Sequence, residues 1–135
     1  MSWNLYTQEG KALEPLEFSN GKTQADVVQE VLEAIEEGHK IIFIKGMCGT
    51  GKSAIALNIA KDLGKCSVVV PVKYLQQQYQ VDYGENMHIK KKNGEKLNIT
   101  VFTGRNNHPC KYNKMVNADD TNLPCTIDLK KENMP

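Results

Sequence analysis

The sequence lacks the features of membrane-spanning and secreted proteins. No apolar run approaches the ~18 consecutive residues that cross a bilayer. The N-terminal segment has no basic stretch followed by an apolar one, so we expect no signal peptide, no membrane contact and a cytoplasmic protein. The chain has only four cysteines. In an intracellular protein we expect these to be free thiols or metal ligands rather than disulfides.

The sequence also lacks an excess of charge of either sign. Lys and Arg total 17 and Asp and Glu total 16, which gives a formal net charge of +1. This balance excludes a strongly basic, histone-like nucleic-acid binder and an acidic solvating tail. Hydrophobic residues make up 40% and charged residues 24% of the 135 positions, which is typical of one small folded domain or of part of a larger one.

Periodic apolar positions predict three helices. The spacing of valine, leucine and isoleucine predicts a helix face from residue 24 to residue 37. Thr23 is the predicted N-cap of this helix and Gly38 its stop. A second helix is predicted from Lys52 to about Leu63, ended by Gly64, and a third begins within residues 74–80.

Three short apolar runs predict strands. They cover residues 41–44, 67–72 and 97–102. Continuous apolar runs of this kind are typical of strands that are buried on both faces, and Cys66 is accordingly expected to be a small core residue. Because helices separate these strands, the pattern predicts an α/β fold with a parallel sheet flanked by helices.

The strongest motif follows the first predicted strand and fits G-x-x-x-x-G-K-[ST] in full. Its residues are Gly46, Met47, Cys48, Gly49, Thr50, Gly51, Lys52 and Ser53. The glycines let backbone N–H groups surround phosphates, and the following helix points its positive end at the same anion. In such a loop the lysine can reach the β- and γ-phosphates and the serine hydroxyl can bind Mg²⁺.

The segment also has two other interpretations. A chance glycine turn at this position has odds of roughly 1% at average glycine usage, and the motif lies between a strand and a helix as the mechanism requires. Cys48 within the loop is either a redox-sensitive thiol at a helix N-terminus or a small residue tolerated at a variable position. The sequence therefore predicts a nucleotide-binding site with a place for Mg²⁺.

Four segments in order resemble the XPD/DinG-type iron–sulfur DNA helicases of superfamily 2. These are Gln24 after Lys22, the phosphate loop, VVVPVKYLQQQY at 68–79, and GRNNHPC at 104–110. The last is similar to the family's Gly-Arg-x-Asn-Tyr-x-Cys, with a histidine in place of the tyrosine. Val72 departs from the family by replacing a hydroxyl residue.

The resemblance implies a partial RecA-like P-loop NTPase domain, with residues 1–23 as an N-terminal arm, 24–103 as the nucleotide-binding part and 104–135 as the start of an iron–sulfur region. It implies that Gln24 reads the adenine edge and that Lys52 is the catalytic lysine. It further implies that Cys110 and Cys125 are two of the four ligands of a [4Fe-4S] cluster, and that Arg105 contacts DNA. Single-stranded DNA and the remainder of the helicase motor would be the partners.

No acid ends a predicted strand, and the family's Asp-Glu-Ala-His box is absent. We therefore expect this chain to bind ATP but to hydrolyse it slowly or not at all by itself. A stand-alone nucleotide-binding regulatory module is the main alternative. A small-molecule phosphotransferase would need a lid with arginines, and the chain has one arginine.

A basic cluster lies in the second half of the chain. It consists of Lys90, Lys91, Lys92 and Lys96, beside Tyr83 and His88. This pattern is compatible with a single-strand contact surface, because basic grooves with aromatic side chains follow nucleic-acid strands. It is also compatible with a solvated loop, since short lysine runs are common on protein surfaces.

Overall fold

The structure is a computed structural model that describes residues 3–104 and 107–109. Its elements in chain order are β1 (Tyr6–Thr7), α1 (Gln24–Glu36), α2 (Lys52–Leu63), α3 (Lys73–Gln80), a π-helical turn (Val81–Asn86) and β2 (Met87–His88). The chain divides into two compact units, Met1–Val101 and Phe102–Pro135. All of these elements belong to the first unit.

Helix α1 begins and ends at the positions that the sequence predicts. The Thr23 side chain accepts a hydrogen bond from the backbone N–H of Asp26, while the Asp26 carboxylate accepts one from the Thr23 N–H at 2.8 Å. This reciprocal capping box satisfies two N–H groups that would otherwise have no partner. At the other end Gly38 adopts a φ of 95° and donates to Ile35 O, which closes the helix.

Helix α2 carries more buried residues than any other element of the described structure. It begins directly after the phosphate loop at Lys52 and ends at Gly64, whose φ is 88° and whose N–H donates to Ala60 O. It packs against α1. Its small and branched side chains are buried, so the predicted second helix is confirmed.

The hydrophobic core joins α2 to the N-terminal arm and to the segment around β2. Its buried members are Leu5, Ala54, Leu57 and Ile89. Partly buried side chains pack around them: Trp3, Leu13, Tyr79, Tyr83, Met87, Leu97 and Ile99. Tyr83 therefore contacts the core, and burial raises its pKa. This differs from its predicted place beside the basic cluster.

The predicted parallel sheet is not present in the described residues. The sheet found there is antiparallel and joins β1 to β2, with Tyr6 opposite His88 and Thr7 opposite Met87. The predicted strands at 41–44, 67–72 and 97–102 form no ladder, and Phe43 and Val69 are each 93% exposed. Cys66 is exposed as well, so its predicted place in the core is wrong.

The predicted strands form no sheet in the described residues because a strand, unlike a helix, needs hydrogen-bond partners from a distant part of the chain. A helix makes its backbone hydrogen bonds within itself, whereas a strand needs a partner elsewhere in the chain. An apolar run shows that a segment favours burial, but it does not specify the neighbouring strand. In the described residues the three runs form neither helix nor strand and do not pair with one another.

The second unit is described only at residues 102–104 and 107–109. There Asn107 donates to Gly104 O from its backbone and from its side chain, and Thr103 Oγ1 lies 2.9 Å from His108 Nε2. In the described part of the chain, every helix is too short or too polar to span a bilayer.

Candidate nucleotide-binding site

The phosphate loop turns between an extended apolar segment and α2, and its glycines are required by the backbone. Gly49 has a φ of 82° and Gly51 a φ of 68°, the left-handed region that side chains disfavour. A Cβ atom at Gly46 would lie 2.9 Å from Thr50 Oγ1. Two glycines of the loop are therefore required by their φ values, and a side chain at Gly46 would displace the side chains of Thr50 and Lys52.

The Lys52 side chain folds back over the loop. Its Nζ donates to Gly46 O and to Met47 O, each at 3.0 Å, and Thr50 Oγ1 donates to Met47 O at 2.8 Å. The ammonium group of Lys52 thus lies over the turn formed by the loop backbone. An anion bound there would replace two neutral carbonyls as the partner of the ammonium group, and it would add charge–charge attraction to hydrogen bonds whose donor is already charged.

The first turn of α2 completes the geometry for an anion. The N-cap residue is Gly51, and no side chain caps the helix start. The early N–H groups of a helix have no intrahelical partner, and they carry the positive end of the helix dipole. Ser53 lies in this first turn and is partly buried. The residues present therefore fit a phosphate chain, with Ser53 placed in the first turn for a metal-bound role.

Gln24 connects the N-terminal arm to the phosphate loop. Its side chain is 3% exposed. Its Oε1 accepts from the backbone N–H of Leu16 at 2.9 Å, and its Nε2 donates to Thr50 O at 3.0 Å. A Cβ at Gly51 would lie 2.2 Å from Nε2. In this structure the amide of Gln24 therefore holds the loop; its role in reading adenine stays a prediction.

The contact between Gln24 and the loop was not predicted. The sequence places Gln24 at the start of the first helix and suggests a nucleotide contact, but it does not show that the amide would bond the loop backbone. The available signal is weak: a polar residue in the first turn of an amphipathic helix that lies on its buried side. A buried amide of this kind is expected to find hydrogen-bond partners.

The remaining predicted site residues divide into two groups. Met47 and Cys48 are exposed on the loop, and Cys48 is a free thiol. Arg105, Cys110 and Cys125 lie outside the described residues. Within residues 3–104 and 107–109, no three His, Cys, Asp or Glu side chains are grouped so that they could hold a metal ion.

This loop, its lysine and the helix that follows define a P-loop nucleotide-binding protein. The family model described as "Type III restriction enzyme, res subunit" (ResIII) matches residues 17–127, and the chain belongs to this family. Membership makes it a superfamily 2 helicase-like P-loop protein, of helicase and ATPase type with a RecA-like fold. The match does not extend to the iron–sulfur type. Neither the curated proteins nor the solved structures include a match to this chain.

Proposed function

We propose that the chain is the ATP-binding part of an ATP-dependent DNA helicase. The observation that carries this proposal is the position of Lys52 Nζ. It lies 3.0 Å from the carbonyl oxygens of Gly46 and Met47, within the loop that would bind the phosphates. The family match supports the helicase class. The proposal also has three narrower parts: the nucleic acid is DNA, the helicase moves along single-stranded DNA, and the protein is cytoplasmic.

Different residues of the chain would bind different parts of Mg-ATP. Backbone N–H groups of Gly46 to Ser53 would surround the phosphates, Lys52 would neutralise the β- and γ-phosphate charge, and the Ser53 hydroxyl would bind Mg²⁺. When bound, Mg-ATP supplies the phosphoanhydride bond whose hydrolysis drives a helicase. Gln24 holds the Thr50 carbonyl in place, so that the loop keeps its turn while the lysine changes partners.

Slow hydrolysis by this chain is part of the proposal. No described carboxylate forms a hydrogen bond or ion pair with residues 46–53, and P-loop enzymes use an acid to hold Mg²⁺. That same observation favours the second candidate, a regulatory module that binds nucleotide without turnover. Stimulation of ATPase activity by single-stranded DNA distinguishes the two, because only the helicase should show it.

The iron–sulfur region stays the least supported part of the hypothesis. Cys110 and Cys125 would supply two thiolates, whereas a cubane cluster takes four. Both residues lie outside the described part of the structure. We therefore propose no step of the function that depends on a cluster.

The test of the proposed function is a titration with a fluorescent ATP analogue and Mg²⁺. Lys52→Ala removes the charged donor to the phosphates, so affinity should fall by about 10- to 100-fold, the equivalent of one or two charge-assisted hydrogen bonds. The matched control is Lys65→Ala, an exposed lysine just beyond the other end of α2. Equal affinity of the Lys52→Ala variant and the wild type would contradict the proposal.

A further inference from the structure

A small polar face is formed by residues that are distant in the sequence. Tyr6 lies opposite His88 in the antiparallel pair of β1 and β2. Lys90 follows His88 at i+2 and bridges to Lys96 across a hairpin. Because alternate residues of a strand share a face, these four side chains lie together, and we call them the Tyr6 face. The other side of these segments carries core residues, including Leu5 and Ile89.

The side chains of the Tyr6 face are in direct contact. The rings of Tyr6 and His88 are stacked, with centroids 5.5 Å apart and an angle of 20° between their planes. Lys90 Nζ lies 4.5 Å from the centroid of the Tyr6 ring. His88 is buried beneath this arrangement, at 5% exposure. Burial, and then the charges of Lys96 and Lys90, lower the pKa of His88.

The backbone that carries the face is firmly held. Asn4 uses its side chain to donate to Lys90 O and to accept from Lys90 N, both at 2.9 Å. Its own N–H donates to the side chain of Asn58, which is fully buried in α2. The hairpin is closed by Leu97 N donating to Ile89 O at 2.7 Å. The face is therefore presented on a rigid support rather than on a loose loop.

The charge of the face is not neutralised within the described structure. Lys90 and Lys96 lie directly opposite each other, an arrangement that destabilises a strand pair when both residues carry the same charge. Glu95, the one acid of the hairpin, pairs with Lys91 at 3.8 Å. Neither lysine of the face forms an ion pair with a described residue. The face thus concentrates positive charge where an anion would relieve it.

We propose that the Tyr6 face binds single-stranded nucleic acid, with Lys90 and Lys96 on the phosphodiester backbone and Tyr6 stacking on a base. Lys90 covers one side of the Tyr6 ring, and its transfer to a phosphate would expose that side for stacking. Combined cationic and aromatic side chains are the usual means of holding single strands without sequence preference. The proposal rests on the proposed helicase function and adds a site, outside the phosphate loop, that contacts the nucleic-acid strand.

The chemistry of the face favours nucleic acid over an anionic membrane. A membrane-surface site needs apolar side chains that enter the acyl region. Here the aliphatic side chains of the same strands, including Leu5 and Ile89, are buried in the core. The outward side chains are an aromatic ring and two amines. Anionic vesicles are therefore a test arm rather than the proposed ligand.

The experiment is fluorescence anisotropy of a labelled single-stranded oligothymidylate with the whole chain, repeated over a range of salt concentrations. Lys90→Ala/Lys96→Ala should reduce the slope of log affinity against log salt by about 1.4, because each lost phosphate contact removes about 0.7 for a single strand. The matched control, Lys91→Ala/Lys92→Ala, removes the same charge from the same hairpin outside the face. A similar loss in both double variants would overturn the proposal.

Stacking is tested separately with Tyr6. Tyr6→Leu should weaken binding roughly tenfold and leave the salt slope unchanged, because base–aromatic stacking carries no charge. Tyr6→Phe should retain wild-type affinity. Thermal melts followed by circular dichroism confirm that each variant folds. A Tyr6→Leu variant that folds and binds as tightly as the wild type would overturn the stacking role.

The outcomes separate this proposal from the proposed function. ATP-analogue binding is measured on every variant, and it should not change when the Tyr6 face is altered. Oligonucleotide binding without ATP binding would overturn the helicase proposal but not the proposed nucleic-acid site at the Tyr6 face. ATP binding without oligonucleotide binding, or binding only to phosphatidylserine vesicles, would overturn the proposed site at the Tyr6 face.

Discussion

At the scale of single residues, Gly51 and Gln24 meet at a contact that leaves no room for another atom. We predict that Gly51→Ala destabilises the fold far more than Gly49→Ala. Both glycines have a positive φ, so both variants incur about 1–2 kcal/mol of backbone strain. Only at Gly51 does the new methyl group meet a side chain, the Gln24 amide at 2.2 Å, whereas Gly49 has open space. Displacement of that amide should cost about 2 kcal/mol more in urea unfolding.

A double-variant cycle checks the physical cause. In a Gln24→Ala background the amide is absent, so Gly51→Ala should cost no more than Gly49→Ala does in the wild type. The coupling between the two positions should therefore be about 2 kcal/mol. Additive effects of Gln24→Ala and Gly51→Ala would show that the two residues do not restrain each other.

The candidate site was predictable from the sequence to the extent that its chemistry is local. The loop residues follow one another in the chain, so the motif alone locates Lys52 and Ser53 at the start of a helix. The bond from Gln24 to Thr50 O depends on how α1 lies against α2, which no local pattern specifies. The same reason explains why Tyr6 was missed and why the packing of Tyr83 against the core was not predicted.

At the scale of elements, the capping box makes α1 sensitive to acid. The pKa of Asp26 is lowered, chiefly by the hydrogen bond from the Thr23 backbone and then by the Thr23 hydroxyl. A lowered folded pKa means that the stabilisation is complete above the unfolded value of about 3.9 and is lost as pH falls through the folded value. We predict that Asp26→Asn is less stable than the wild type at pH 7, and that this difference shrinks below about pH 4.

Urea unfolding followed by helical circular dichroism at pH 7 and at pH 3 measures this difference. Glu36→Gln, an acid exchanged at the opposite end of the same helix, is the matched control and should lack the effect. Thr23→Ala should cost about 1 kcal/mol at pH 7, the usual value for loss of an N-cap side chain. A constant difference between Asp26→Asn and wild type at both pH values would rule out the carboxylate as the source.

The helices show why some elements were predictable and others were not. Thr23 and Gly38 bound α1, and Gly64 ends α2, because capping and glycine stops act within a few residues of the chain. The runs at 41–44 and 67–72 have the composition of strands, yet they are unpaired in the described structure. Strand pairing depends on a distant partner, so composition identifies the segments but not the sheet.

At the scale of the whole molecule, apolar segments are left on the surface. Ile41 is 76% exposed, and Phe43 and Val69 are each 93% exposed, on segments without a ladder in the described residues. A RecA-like fold would bury such segments within a sheet, with helices on both faces. Extended apolar segments with unpaired backbone are prone to join other chains. The fraction of hydrophobic residues, 40%, is ordinary for a folded domain. The apolar surface therefore arises from where individual side chains lie and not from an excess of apolar residues.

We therefore predict that the purified chain associates as its concentration rises, and that Phe43→Lys/Val69→Lys weakens this association. Burying a large apolar side chain is worth about 1.5–3 kcal/mol, so the double variant should weaken self-association by roughly tenfold or more. Analytical ultracentrifugation measures it. The control Leu63→Lys/Tyr74→Lys changes two other exposed apolar side chains outside these segments and should have a smaller effect. ATP-analogue affinity should be unchanged, because Phe43 and Val69 lie outside the phosphate loop. A wild-type chain that stays monomeric at every concentration would show that its exposed segments do not promote association.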